Sequence, residues 1–213
     1  MDKDYWSEFY KNNNSNKKPS NFALYCFDNF FKKNNKVLEL GCGNGRDSIF
    51  FDENKINVVA IDQCEDSCSE INKILSKRSV AYGGDFTKIN NIENIKDIKF
   101  DYVYSRFTLH SITENEENRL FESLKEVLSE NGKVMIEVRS VNDDIFGLGK
   151  KVSEFEYIYE NHYRRFHVLK EMIRKFDSSG YRVLDAVEGI NFAPHPVKEY
   201  NSLTIRMVLE VAV

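Results

Sequence analysis

The chain has 213 residues, with 30 Lys and Arg against 34 Asp and Glu, a net charge of −4, 41% hydrophobic and 30% charged residues. That balance excludes a disordered chain and disfavours a protein built to grip nucleic-acid backbone, which needs a basic excess. No run approaches the ~20 apolar residues of a membrane span, Met1-Asp2-Lys3-Asp4 opens no signal-peptide core, and four Cys are too few for a disulfide scaffold, so a single cytoplasmic domain over residues 1–213 is expected.

Tyr5, Trp6, Phe9 and Tyr10 stand at helical spacing, so residues 1–10 predict a short amphipathic helix. Residues 11–20, rich in Asn and Lys, are a loop ending Pro19-Ser20, and Ser20 can cap a second helix through Phe22, Leu24, Phe27 and Phe31. Residues 1–34 together read as a helical lid. From Lys36 strands and helices alternate. Strands are expected at 37–40, 56–61, 79–82, 100–104 and, after the turn Asn131-Gly132, at 133–138; helices at 46–52, 65–76 and 114–129. Continuous apolar strands between helices signal an α/β fold whose parallel sheet is covered on both faces. The ending breaks the rhythm. Residues 141–167 form a long aromatic and charged insertion and 169–176 a helix. Strands at 181–187 and 202–213 follow with no helix between them, which implies an antiparallel pair at the sheet edge.

Glu39-Leu40-Gly41-Cys42-Gly43-Asn44-Gly45 lies between the first strand and its helix. Glycines there let the backbone turn tightly and let a ligand approach peptide atoms, at the place where doubly wound sheets bind ligands. A dinucleotide fingerprint would read G-x-G-x-x-G; this turn reads G-x-G-x-G behind an acidic Glu39, which suits a cationic ligand better than a pyrophosphate. Asp62 ends the second strand, where a carboxylate can bind ribose hydroxyls, and Asp85-Phe86 follows the third, suited to an adenine.

These residues, with Gly84-Asp85-Phe86 and Phe100-Asp101-Tyr102-Val103, resemble in order and spacing the motifs of class I S-adenosylmethionine-dependent methyltransferases, over residues 35 to 140. The resemblance implies a Rossmann-like seven-stranded sheet, mostly parallel, with an antiparallel C-terminal strand pair and helices on both faces. It implies S-adenosyl-L-methionine as cofactor and S-adenosyl-L-homocysteine as product. Gly41 and Gly43 would pass beneath the cofactor, Asp62 would bind ribose, and Asp85 with Phe86 would meet adenine. Glu39, Cys42, Asn44, Gln63 and Ser105 complete the expected cofactor-binding set.

The acceptor side follows from the strand ends, which line the active face of such a sheet. The fourth strand ends Tyr104-Ser105-Arg106-Phe107-Thr108-Leu109-His110, without the Asn/Asp-Pro-Pro-aromatic pattern of amino-methylating nucleic-acid enzymes. The fifth ends Glu137-Val138-Arg139-Ser140, and the insertion carries His162-Tyr163-Arg164-Arg165-Phe166-His167. Arg106 and Arg139 are expected to converge over the cofactor, and guanidinium groups bind carboxylate or phosphate bidentately, so a small anionic acceptor, nucleotide- or sugar-linked, follows. The bland alternative is that these arginines pair with nearby acids. His110 is the candidate general base for a hydroxyl acceptor; an oxyanion needs none. Tyr10, Tyr163, Arg164 and Arg165 join Arg106 and Arg139 as candidate substrate contacts. No metal set has convincing spacing, and Cys64 and Cys68 lack the third cysteine of a radical cluster.

Tyr5-Trp6, Pro19-Ser20, Ser105-Arg106-Phe107 with His110, Glu137 to Ser140 and His162 to Phe166 are also similar to small bacterial methyltransferases found with capsule and other surface-polysaccharide genes. That resemblance implies O-methylation of a sugar, phosphate or phosphoramidate group. Tellurite- or thiopurine-detoxifying methyltransferases, a nicotinamide-dependent oxidoreductase and a non-catalytic cofactor-binding module are the alternatives.

Overall fold

A computed structural model describes residues 18–194 and 202–212. The expected first helix, with Trp6 and Tyr10, and most of the lid loop lie outside the described residues. Helix α1 (Asn21–Asn29) begins at Ser20, whose hydroxyl accepts from the Ala23 amide at 3.0 Å, the cap that the sequence predicts. Strand β1 (Lys36–Leu40), helix α2 (Arg46–Glu53), β2 (Asn57–Asp62), α3 (Glu65–Asn72), β3 (Val80–Gly83) and β4 (Phe100–Arg106) alternate as expected. Helix α4 (Glu114–Val127) opens with a capping box between Thr113 and Glu116, and β5 (Leu128–Arg139) follows directly. Helix α5 (Leu169–Ser178), β9 (Tyr181–Gly189) and β10 (Thr204–Val211) close the chain.

Seven strands form one sheet in the order β3-β2-β1-β4-β5-β10-β9. All pair in parallel as far as β5, and β10 runs antiparallel to both of its neighbours. Strand order reverses beside β1, so β1 and β4 flank the crevice at their carboxyl ends. Neighbouring β1 residues face opposite layers: Val37 packs with Phe22, Phe51 and Val58, Leu38 with Val103, Leu120 and Val134. That double burial is why the central strands read as unbroken apolar runs.

The antiparallel pair stands at the sheet edge as expected, and within it β10 threads between β5 and β9, because residues 204–209 are buried throughout whereas β9 carries the exposed Leu184 and Val187. Two helix ends differ from the expectation. Helix α4 stops at Val127, and Leu128, expected in the helix, turns extended to start β5. Helix α3 stops at Asn72, whose side-chain amide exchanges two 2.8 Å hydrogen bonds with the Ala81 backbone and so fastens the helix end to β3. The insertion carries a sheet of its own. Strands β6 (Lys150–Lys151), β7 (Glu156–Tyr159) and β8 (His162–Arg165) form an antiparallel sheet over a small core of Ile145, Tyr157 and Phe166, and a bridge from Ser140 to His167 ties it to the end of β5.

Candidate active site

The turn after β1 is shaped by three glycines with positive φ, +69° at Gly41, +58° at Gly43 and +76° at Gly45. A Cβ on Gly41 would lie 2.4 Å from Thr108 Cγ2 and one on Gly45 2.5 Å from Ile71 Cγ1, so both positions demand glycine by conformation and by space. The same approach sets Thr108 and the Phe86 ring beside Gly41 and so joins the β1 turn to the segments after β3 and β4. Asp62 braces the turn: one carboxylate oxygen accepts from the Gly43 amide and the other from the Cys64 amide, both at 2.9 Å. Burial pushes its carboxyl above the ordinary value.

Glu39 is buried on β1 and accepts from the Ser48 hydroxyl of α2. Burial and the nearby charge of Asp47 push its carboxyl up to about 8. Asp47 is itself buried, accepting from the Ser20 amide at 2.7 Å, the Ser20 hydroxyl at 2.8 Å and the Tyr104 hydroxyl at 2.8 Å. Asp85 caps the turn that follows β3, accepting from the Thr87 amide and hydroxyl at 2.9 and 2.7 Å; burial opposes but does not cancel those bonds, and its carboxyl is lowered. Cys42 and Ser105 are buried, the first with its thiol pushed up by a hydrogen bond to Cys68 and by burial, the second hydrogen-bonded to Thr108. Asn44 and Gln63 are half-buried at the ends of the β1 and β2 turns.

The arginines at the ends of β4 and β5 do meet. The Arg106 guanidinium lies 4.5 Å and the Arg139 guanidinium 5.1 Å from the centre of the Phe107 ring. Each is anchored at one nitrogen. Arg106 Nε donates to Glu137 at 3.0 Å; Arg139 Nη1 donates to Asp143 at 2.7 Å and Ser202 at 3.2 Å. Among the described residues the terminal nitrogens of Arg106, and Nε and Nη2 of Arg139, make no hydrogen bond. Glu137, fully buried, also accepts from Arg206 Nε at 2.7 Å, and Arg206 stacks on Phe22, Tyr25 and Phe192. Phe107 takes φ +53°, a left-handed conformation that costs an L residue about 1–2 kcal/mol and that clusters at ligand sites. His110 lies behind it, ring centres 5.9 Å apart, buried and facing His162 of β8. Burial, then the charges of His162, Arg139, Arg164 and His167, hold His110 well below the usual imidazole value.

The insertion residues divide. Arg164 donates to the Tyr159 carbonyl, stacks on the Tyr159 ring and lies close enough to His110 to act on its charge. Tyr163 donates to Glu156 at 2.6 Å; burial and that carboxylate raise its hydroxyl. Arg165, expected at the acceptor, turns the other way, because successive strand residues face opposite sides. It forms a buried pair with Glu117 and donates to the carbonyls of Ile112 at 3.1 Å and Leu109 at 3.5 Å. Burial opposes ionisation of Glu117, but a hydrogen bond from His167 and the charges of Arg165 and Lys175 hold its carboxyl far below the ordinary value. Arg165 therefore holds the turn that carries His110. Tyr10 lies outside the described residues. Phe107, Glu137 and His162, quoted only within motifs, and Asp47 were given no site role by sequence. Only Phe107, an aromatic residue between a strand end and the next turn, carried a signal that could have been read.

A family model described as a methyltransferase domain matches residues 12–186. A search of curated proteins finds no match. Among solved structures, the Burkholderia thailandensis 1,6-didemethyltoxoflavin-N1-methyltransferase, crystallised with 1,6-didemethyltoxoflavin and S-adenosylhomocysteine, is similar at TM-score 0.68 and 15% identity, over 90% of this chain and 77% of that one. A Clostridium acetobutylicum S-adenosylmethionine-dependent methyltransferase gives TM-score 0.66 and 15% identity over 100% and 93%. One from Methanosarcina mazei gives 0.72 and 12% over 88% and 97%.

Proposed function

The chain belongs to the methyltransferase-domain family, and from that membership we propose that it transfers a methyl group from S-adenosyl-L-methionine to an oxygen of a small anionic acceptor. The residues at the crevice fit that cofactor. Glu39, Asp47 and Asp62 set three carboxyl groups about the turn, which favours a sulfonium and an ammonium over a pyrophosphate. Glu39, Gly41, Cys42, Gly43, Asn44, Asp62, Gln63, Asp85, Phe86 and Ser105 would hold it, Asp62 at the ribose and Asp85 with Phe86 at the adenine. When bound, it supplies a methyl carbon on a positive sulfur, which departs as a neutral thioether once a nucleophile attacks.

The observation that carries the acceptor class is the pair of guanidiniums on Phe107. Both are anchored to carboxylates, so their direction is fixed, and both keep nitrogens for an anion. Held there, the acceptor is oriented rather than activated, and His110, kept neutral at neutral pH, can take a proton if the nucleophile is a hydroxyl. The resemblance to capsule-associated methyltransferases adds a sugar, phosphate or phosphoramidate group as the anion, in the cytoplasm. Transfer to nitrogen is the second reading, favoured by the N1-methyltransferase among the similar folds.

A thermal-shift titration tests both halves. S-adenosylhomocysteine at 100 times its Kd should stabilise the chain by about 2.7 kcal/mol, and NAD should not. Asp62→Ala should abolish that shift, and sulfate added with the demethylated cofactor should raise the melting temperature further. A shift with NAD alone would overturn the cofactor half; no sulfate effect, in the wild type as in Arg139→Ala, would overturn the anionic acceptor.

A further inference from the structure

Across three neighbouring strands the sheet register lines up Arg106 of β4, Glu137 of β5 and Arg206 of β10. Two positions along the strands, the same face carries Tyr104, Met135 and Val208, buried with Phe22 of α1. Glu137 is fully buried and divides its oxygens: Oε1 accepts from Arg106 Nε at 3.0 Å and Oε2 from Arg206 Nε at 2.7 Å. Arg206 is clamped. Its guanidinium lies 4.3 Å from the centre of the Phe192 ring, 5.2 Å from that of Tyr25 and 5.3 Å from that of Phe22. Its Nη2 donates to the Phe192 carbonyl at 3.1 Å. Arg106 has one anchor only, and among the described residues its terminal nitrogens make no hydrogen bond.

We propose that Arg206 is a positioning residue: by occupying one oxygen of Glu137 it keeps Arg106 bound through Nε alone and leaves the terminal nitrogens of Arg106 to the anionic acceptor. The inference rests on the reading of Arg106 and Arg139 as the acceptor's anion site. A guanidinium left alone with a carboxylate meets it through two parallel bonds, because both groups are planar forks. Here the second oxygen is taken, so the fork of Arg106 stays open. Glu137 has no solvent to turn to, and a buried carboxylate oxygen stripped of its donor is costly. Without Arg206 that cost is relieved by Arg106, which already stands on the neighbouring oxygen with terminal nitrogens unspent. Closing the fork would satisfy Glu137 and take those nitrogens from the acceptor. The rings that clamp Arg206 belong to α1 and to the segment after β9, so elements without a candidate acceptor contact set the state of one that has it.

Two neutral substitutions of similar length separate a donor role from a charge role. In Arg206→Gln the side-chain amide can still donate to Glu137; in Arg206→Met nothing can. Sulfate titrated into the full chain loaded with S-adenosylhomocysteine should bind at least ~10-fold more weakly to Arg206→Met than to Arg206→Gln. Arg206→Gln should stay within ~3-fold of the wild type, and S-adenosylhomocysteine affinity should stay within ~2-fold in both variants. A crystal structure of Arg206→Met with the demethylated cofactor should show Arg106 bound to both oxygens of Glu137. Equal weakening in the two variants would mean that only the charge of Arg206 matters. An open Arg106 fork beside a Glu137 satisfied by water would mean that the fork needs no holding. Either result overturns the proposal. Should the Met variant fail to fold, the Gln variant decides it, and a loss there of ~10-fold or more overturns it. No sulfate bound to the wild type would instead sink the anionic acceptor, and the fork in the Arg206→Met crystal would still decide the role of Arg206.

Discussion

At the scale of single residues, the site is governed by where charge is allowed to sit. Glu39 shares a buried turn with Asp47 and Asp62, and its carboxyl, at about 8, keeps its proton at neutral pH. In the unfolded chain it ionises at 4.5. The folded state therefore binds the extra proton between those values: its contribution to stability is full below 4.5 and is lost as pH rises through about 8. His110 and His167, both lowered in the fold, titrate mostly below pH 7 and do so alike in wild type and variant, and Asp52, Asp85 and Glu117, also lowered, act in acid. Glu39→Gln removes the Glu39 contribution alone. Between pH 7 and 8.5 the wild type should lose about 1 kcal/mol more than Glu39→Gln, read as diverging melting temperatures in a fluorimetric scan. A cationic cofactor favours the carboxylate, so binding at pH 7 should release a proton, and the heat of binding should depend on the buffer's ionisation enthalpy in the wild type but not in Glu39→Gln. On the acceptor side, Arg139→Ala should weaken sulfate binding to the cofactor-loaded protein at least ~10-fold, about 1.4 kcal/mol, while S-adenosylhomocysteine affinity stays within ~2-fold by titration calorimetry. Equal loss of both would mean that Arg139 only supports the sheet end. Its partner Asp143 lies within the insertion, so the bland alternative of arginines paired with acids is met in part by this geometry.

At the scale of elements, the parallel half of the sheet was legible because each strand is buried on both faces and each turn carries its own chemistry. Val37 to Gly45 could be read directly: an apolar run, then glycines that no other residue can replace. The insertion was not, since strands of two to four residues alternate inward and outward too briefly to give a period. Arg164 and Arg165 show what that cost. Adjacent in sequence and chemically identical, they face opposite sides of β8, and only the strand's register tells the substrate-side candidate from the buried anchor. Their variants should separate sharply. Arg165→Ala leaves Glu117 buried with part of its compensation gone and frees the His110 turn, a loss of about 3–5 kcal/mol that denaturant melts would record. Arg164→Ala removes a largely local contact and should cost under ~1 kcal/mol, its effect appearing in sulfate affinity instead.

At the scale of the whole molecule, the order of the last strands escaped the sequence for a physical reason. The pairing of β10 between β5 and β9 is decided by which strand can be buried on every side, and a run such as Thr204 to Leu209 reveals that only against its neighbours. The fold gathers charge in a way that composition alone hides. A chain of net −4 draws Arg106, Arg139 and Arg164 together at the carboxyl end of the sheet while Glu39, Asp47 and Asp62 collect beneath the glycine turn a few residues away. The net charge of −4 disfavours a long polyanion, whose grip needs a basic excess, and leaves room for the one small anion proposed for the first group. Such a molecule should hold a divalent anion with a shallow salt dependence, near that of one or two charge contacts, and should ignore nucleic acid. Fluorescence anisotropy of a labelled 20-nucleotide RNA or DNA should give a Kd weaker than ~100 μM at 150 mM salt, where non-specific binders reach ~1–100 μM. Tight, steeply salt-dependent binding of either strand would move the acceptor from a small molecule to a polymer.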